Sequence, residues 1–293
     1  MTTIAHEPDL RSITEQLRAS RVPMPDTLAA LAATSIRIAT ARTTLERLPI
    51  GASRFGGDPD VPASFVWPQW QTRPLGFLAQ LDLSEVRAPG LPSSGWLLFF
   101  YDQEQTAWGS EPSDVGAARV VHVDVSRDQL VRVTRPPESD EGGGTELCAV
   151  TFRASLDLPH EHDLLVEDAG VELEDDEGEA YDAVRAAISG VEDGDVDHHL
   201  LGHPQIVQGD MRGDCQLVTN GIATGDPSAY RGKRAQALLK TASADWQLLL
   251  QLDSDDTGPE WMWGDSGRVF FWIRRADLAT KSFEKAWCIL QCY

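Results

Sequence analysis

The second half of the chain repeats three segments of the first half, in the same order. The pairs are GDP at 57–59 and GHP at 202–204, FLAQLD at 77–82 and LLLQLD at 248–253, and GWLLFFY at 95–101 and GRVFFWI at 267–273. Three matches in one order indicate a duplicated unit. We interpret the unit as a loop, a strand that ends in Gln-Leu-Asp, a turn and a strongly apolar strand.

Alternation along the two Gln-Leu-Asp strands has a geometric consequence. Because successive side chains of a strand point to opposite faces, Gln80 shares a face with Asp82, and Gln251 shares a face with Asp253. The opposite face of the first strand then carries Phe77, Ala79 and Leu81. If the units pack about a pseudo-twofold axis, the two Gln–Asp pairs converge and form a candidate ligand-binding site. The alternative is that these side chains hydrogen bond to loop backbone where the units cross.

Trp263 and Asp265 lie between the second Gln-Leu-Asp strand and the apolar strand that follows it. The face of a Trp ring attracts cations, so these two residues are further candidates for binding a polar or cationic ligand. The alternative is a hairpin turn over residues 265–267, with Trp263 packed against the sheet.

The charge of the chain is strongly negative and unevenly distributed. There are 25 Lys and Arg against 46 Asp and Glu, which gives −21 at pH 7, and fifteen of the acids lie at 161–197 with a single base. This acidic segment is either a solvated flank or a surface that captures a basic protein partner or mimics a polyanion. The candidate partner-binding residues are Glu172, Glu174, Asp175, Asp176, Glu177 and Glu179. Calcium is a third possibility, although the spacing of an EF-hand loop is absent.

Histidines provide the strongest candidates for metal ligation. His198, His199 and His203 lie beside two aspartates, and imidazole with carboxylate suits zinc or a related divalent ion. Neighbouring residues diverge on a strand or helix, however, so the alternative is a solvated cluster in a loop.

Composition excludes several classes of protein. Clustered Lys and Arg for nucleic acid binding are missing, and no apolar run is long enough to cross a membrane. The first nine residues are polar rather than signal-like, and four cysteines are too few for a disulfide scaffold. No phosphate loop, dinucleotide fingerprint or nucleophile elbow is present. We therefore expect a cytoplasmic protein without a cofactor that binds neither nucleic acid nor membrane.

Further ordered motifs run from residue 35 to residue 293. They are GGDP at 56–59, WP at 67–68, the FLAQLD strand, LP at 91–92, LGHP at 201–204, QGD at 208–210, and the segments 249–256, 262–265 and 283–293. This set resembles the YwqG-like family of bacterial proteins of unknown function. The resemblance implies an α+β fold, mostly antiparallel β-sheet built from two intertwined repeats, and brings no activity or catalytic residue.

We accordingly predict a single YwqG-like domain over residues 1–293. Its parts are an N-terminal helical segment at 1–34, repeat one at about 50–135, an acidic insert at about 160–197 and repeat two at about 198–293. Apolar spacing predicts peripheral helices at 178–189 and 227–241.

The function we expect is that of a non-enzymatic binding protein. In its most concrete form it is an immunity-like or regulatory protein that captures a basic partner through the acidic segment. Two alternatives remain open. One is a carboxylate-based hydrolase that acts in the cleft between the repeats, and the other is a small-ligand or metal sensor.

Overall fold

A computed structural model describes residues 10–137, 145–192 and 194–293, so the first nine residues of the predicted helical segment lie outside the described part. The α-helices of the described residues are α1 Leu10–Ala19, α2 Pro25–Ala29, α3 Leu164–Asp168, α4 Asp175–Ser189, α5 Arg212–Val218, α6 Lys233–Leu239, α7 Ala242–Asp245 and α8 Arg275–Ala279. Short 3₁₀ helices span Leu45–Arg47, Pro112–Asp114, Arg127–Gln129, Pro227–Arg231 and Phe283–Lys285.

The strands divide into one large sheet and two small ribbons. They are β1 Ala33–Arg42, β2 Arg54–Phe55, β3 Asp60–Pro62, β4 Gln69–Trp70, β5 Arg73–Pro74, β6 Gly76–Asp82, β7 Trp96–Tyr101, β8 Ala118–Val123, β9 Leu130–Arg132, β10 Cys148–Asp157, β11 His198–Leu201, β12 Trp246–Asp253, β13 Arg268–Arg274 and β14 Trp287–Gln291. Strands β3 and β9 form one ribbon, and β4 and β5 form the other.

The large sheet has ten antiparallel strands in the order β14-β13-β12-β11-β1-β10-β2-β6-β7-β8. The order is symmetric about its central pair, because β12, β13 and β14 at one edge mirror β6, β7 and β8 at the other. Strand β1 precedes the first repeat in sequence but pairs with β11 of the second, while β10 precedes the second repeat but pairs with β2 of the first. The repeats exchange a strand and are therefore intertwined, which confirms the predicted fold class.

Each Gln-Leu-Asp strand contains an irregularity at the same position. The pairing register shifts between Phe77 and Ala79 in β6, and over residues 248–250 in β12. The extra residue Leu78 joins Ala79 and Leu81 in the main core, whereas Phe77 packs in a separate cluster. The prediction that Phe77 shares a face with Ala79 and Leu81 was wrong, because a β-bulge shifts the alternation by one residue.

The main apolar core combines both repeats inside the curved, nearly closed sheet. Phe99 and Phe271, at equivalent positions of the repeats, contact each other with ring centroids 5.1 Å apart. The open seam of the sheet is the gap between its edge strands, β8 and β14. There the loop at residues 108–109 crosses to β14, where the N–H of Leu290 donates to the Trp108 carbonyl at 3.1 Å. Gly109 has φ +84°, and a Cβ there would lie 2.1 Å from the Cys288 carbonyl oxygen, so this crossing requires glycine.

The acidic insert packs on the N-terminal helices. Ile13 and Leu17 of α1 form one buried cluster with Tyr181 and Val184 of α4. Helix α4 confirms the helix predicted at 178–189 and begins earlier, at Asp175. The helix predicted at 227–241 is instead divided into a 3₁₀ turn and α6, which are separated by an extended Gly232.

Candidate functional site

The side chain of Gln80 holds the loop of the first repeat. Its Oε1 accepts a hydrogen bond from the N–H of Asp60 at 2.7 Å, and its Nε2 donates to the Ala52 carbonyl at 3.1 Å. Gln80 is fully buried, and both ends of its amide are satisfied.

Gln251 makes the same pair of bonds in the second repeat. Its Oε1 accepts from the N–H of Gln205 at 2.8 Å, and its Nε2 donates to the Asp197 carbonyl at 2.9 Å. Gln205 follows the Pro of the second loop as Asp60 follows the Pro of the first. The repeated sequence therefore encodes a repeated hydrogen-bonding device, the alternative that we considered for these residues.

The two aspartates of these strands are also bonded to neighbouring groups. Asp82 accepts a hydrogen bond from the N–H of Ser84 at 2.9 Å and forms an ion pair with Arg127. Asp253 accepts from the N–H of Asp197 at 2.8 Å and forms an ion pair with Arg268. Burial raises the pKa of the Asp253 carboxyl, although Arg268 opposes the shift.

The structure does not bring the two Gln–Asp pairs together. Four strands lie between β6 and β12 in the order of the sheet. Among the described residues, no hydrogen bond connects Gln80 or Asp82 with Gln251 or Asp253. Each pair instead stabilises the loop of its own repeat.

Trp263 and Asp265 do not face a common site. Trp263 is only 4% exposed, its ring packs 5.5 Å from that of Trp261, and its Nε1 donates to the Asp253 carbonyl at 3.2 Å. Asp265 is exposed, and its carbonyl accepts from the N–H of Tyr293 at 3.2 Å. The Trp ring is therefore part of the core and offers no open face to a cation.

The three histidines serve separate contacts. His198 accepts from the N–H of Asp253 at 3.1 Å, and the Nε2 of His199 lies 3.1 Å from the His203 carbonyl. The Nε2 of His203 lies 2.8 Å from the Leu31 carbonyl, and burial lowers the pKa of this imidazole. Within residues 10–137, 145–192 and 194–293, no group of three or more His, Cys, Asp or Glu side chains is arranged to hold a metal ion.

A buried ion cluster at the centre of the sheet was missed by the sequence analysis. Arg37 of β1 forms ion pairs with Asp157 of β10 and Asp197, and its Nη1 lies 3.0 Å from Nδ1 of His199. Burial would raise the pKa of Asp197, but His199 and Arg37 outweigh that effect and hold it well below its usual range. The only sequence signal was a basic residue inside an alternating apolar strand.

Most residues of these networks lie within the region that matches a known family; Arg37 precedes it. The family described as a domain of unknown function, DUF1963, matches residues 53–292. The chain belongs to this family. The matched region contains both repeats and the acidic insert but not β1, although β1 occupies the centre of the sheet. A search of curated proteins found no match.

The acidic insert of this DUF1963 domain exposes a group of carboxylates. The exposed acids are Glu172, Glu174, Asp175, Asp176 and Glu179, and in the part of the chain that the structure describes none of them forms an ion pair. Glu177 is half-buried. Its carboxylate accepts a hydrogen bond from the N–H of Glu174 at 3.0 Å and caps the helix. Residue 193 of the insert lies outside the described residues.

None of the described helices is both long enough and apolar enough to span a bilayer.

Proposed function

We propose that this DUF1963 protein is a non-enzymatic binding protein that captures a basic protein partner through its acidic insert. The observation that carries the proposal is the group of five exposed carboxylates at residues 172–179, none of which forms an ion pair with a described residue. Charges of one sign on a surface steer a partner of opposite charge and speed its association.

Packing of the insert supports this function. The apolar side of α4 is fixed by Tyr181 and Val184 against α1, so the acidic side is presented on an ordered helix. A surface that is already ordered loses little conformational entropy when a partner binds. Two of the three acids in the first turn, Asp175 and Asp176, also stabilise the helix that carries them.

The alternatives receive less support from the geometry. A hydrolase in the cleft between the repeats needs carboxylates that approach each other, whereas Asp82 and Asp253 each pair with an arginine in separate repeats. A metal sensor that uses the three histidines needs them on one centre, whereas their ring nitrogens contact separate groups. Ligand binding by Trp263 needs an exposed ring face.

The finer assignments belong to the same proposal. The ordered motifs that resemble the YwqG-like family cover both repeats, and we propose that the chain is a member of that group. An immunity-like or regulatory role in the cytoplasm fits a protein of net charge −21 that acts by occluding a basic surface.

The test begins with the wild-type chain as bait in a lysate of its native host, followed by purification of each captured protein. Association rates are then measured at low and high salt for the wild type and for a variant with E172Q, D175N, D176N and E179Q. The matched control carries D124N, D128N, D265N and E284Q, which remove the same charge from exposed acids elsewhere.

We expect a basic partner whose association rate falls by about tenfold or more in the insert variant and at high salt, because both weaken electrostatic steering. The control is expected to lose far less. Absence of a basic partner, or equal losses in the two variants, would contradict the proposal.

A further inference from the structure

A cleft separates α4 from the second repeat, away from the exposed carboxylates of the insert. Its volume is about 320 Å³, within the range of small-molecule sites. Its lining includes Asp182, Arg185, Glu192, Asp195, Gln205, Arg268 and Tyr293.

Two largely buried arginines contact the same residue of this cleft from different elements. The side chains of Arg185 on α4 and Arg268 on β13 are 11% and 13% exposed. Nη2 of Arg185 lies 3.5 Å from Oε1 of Gln205, and Nη1 of Arg268 lies 3.5 Å from the carbonyl oxygen of Gln205. Arg185 therefore contacts the side chain of Gln205 and Arg268 contacts its backbone, and both guanidinium groups line the same cleft.

Both arginines have donors left over. Arg185 uses Nη1 for Asp182 at 2.7 Å and Nε for the Leu158 carbonyl at 3.3 Å, and Arg268 uses Nε for Asp253. Arg268 also interacts with Tyr293, and both side chains make the long contacts to Gln205. A guanidinium carries five N–H groups, so each arginine retains N–H groups without a close partner. The free N–H groups are suited to a bidentate carboxylate.

Hydrogen bonds and ion pairs to neighbouring residues fix the positions of the two arginines and of Gln205. The N–H of Gln205 is bonded to Gln251, so the residue between the arginines cannot shift without breaking the device of the second repeat. The carboxylates of Asp182 and Asp253 orient the two guanidinium groups. Sites held by such supporting contacts bind with little reorganisation.

Charge around the cleft decides what kind of carboxylate fits. Exposed Glu192 and Asp195 also line the cleft, and the chain as a whole carries −21. A simple anion is repelled by this field, whereas a molecule with an additional ammonium group is not. We propose that the cleft binds a small zwitterion of the amino-acid type, with its carboxylate between Arg185 and Arg268 and its cationic group toward Glu192 and Asp195.

Binding of a zwitterion in this cleft does not depend on capture of a protein partner and is tested separately. Each of the twenty common amino acids is titrated at millimolar concentration into the full chain, with calorimetry and thermal unfolding as readouts. For the best binder, the corresponding amide and the N-acetyl derivative are compared, because each lacks one of the two charges. Variants are R185Q and R268K, and the control is R274Q, another partly buried arginine that lies outside the cleft.

We expect at least one amino acid to bind and to raise the unfolding temperature. The amide lacks the carboxylate and is expected to bind about tenfold or more weakly. A similar loss is expected in R185Q, which lacks the guanidinium donors, and in R268K, which lacks the planar bidentate donor pair of arginine. R274Q is expected to bind like the wild type, and thermal unfolding without ligand shows whether each variant is folded. Binding of none of the twenty, equal binding of the amide, or unchanged binding by R185Q and R268K would overturn the inference.

Discussion

Gln251 accepts a hydrogen bond from the backbone N–H of Gln205 at 2.8 Å, and this bond connects the strand of the second repeat with its loop. The equivalent bond in the first repeat joins Gln80 to Asp60 at 2.7 Å. Two copies of one device, separated by four strands of the sheet, show that the repeated glutamines bind the backbone of their own units.

Replacement of Gln251 by leucine is expected to destabilise the protein by about 2 to 4 kcal/mol, because the N–H of Gln205 and the carbonyl of Asp197 lose their partners. Q80L is expected to cost a similar amount. Urea unfolding measures both, and Q16L on the exposed side of α1 serves as the control. A loss in Q251L no larger than in Q16L would contradict this role.

The Arg37 cluster should be among the most sensitive points of the fold. R37L leaves Asp157 and Asp197 buried without their cation, for which we expect a loss of about 3 to 5 kcal/mol in the free energy of unfolding. The triple variant R37L, D157N and D197N removes the uncompensated charges and is expected to recover part of the loss. A triple variant less stable than R37L would show that the charges are not the cause.

Acid stability should depend on Asp60. Burial raises the pKa of this carboxyl, but hydrogen bonds from Arg132 and Arg54 outweigh burial, so its pKa is lowered on folding. The resulting stability is fully present above the unfolded pKa of about 4 and is lost as the pH falls through the folded value. D60N should be less stable at pH 7 and should lose less stability than the wild type as the pH falls below about 4 in urea titrations. An unchanged slope would refute this.

The side chain of His160 should affect the stability of the protein at higher pH than Asp60 does. Burial, and next Arg185, lower its pKa to about 4. Because the unfolded imidazole has a pKa of about 6.5, stability from the neutral ring is present above that value and is lost as the pH falls toward 4. H160N keeps an acceptor for the N–H of His162 and should flatten the pH dependence of unfolding in this window. H162N is the control, since that side chain is 74% exposed.

Closure of the sheet seam should depend on Gly109. G109A places a methyl group against the Cys288 carbonyl and also strains a backbone with φ +84°, so the loop must leave β14. We expect faster hydrogen exchange at the N–H of Leu290, which is bonded to Trp108. G221A, at φ +81° with open space around it, is the control for backbone strain alone. Equal exchange at Leu290 in the two variants would argue against closure by this contact.

Much of the architecture followed from local patterns. The N-terminal helical segment and the helix at 178–189 were predicted because apolar spacing is a local signal. The two Gln-Leu-Asp strands were predicted because the same pattern occurs in both halves of the sequence.

What could not be predicted depends on contacts between distant residues. A bulge at Leu78 leaves no distinct signal in an apolar run, and it reversed the assignment of Phe77. The ion pair of Arg37 with Asp197 joins positions far apart in sequence, and so does the meeting of Arg185 and Arg268 at Gln205. Convergence of the Gln–Asp pairs failed as an expectation because the exchanged strands β1 and β10 lie between them.

The strand exchange also constrains the order in which strands can pair while the chain is being translated. While a ribosome has released only the first repeat, β2 has no neighbour on its inner side, since β10 has not yet been synthesised. Strand β1 has no pairing partner until β10 is synthesised, and its second partner, β11, is synthesised later still. The centre of the sheet therefore cannot be completed before β11 has been synthesised.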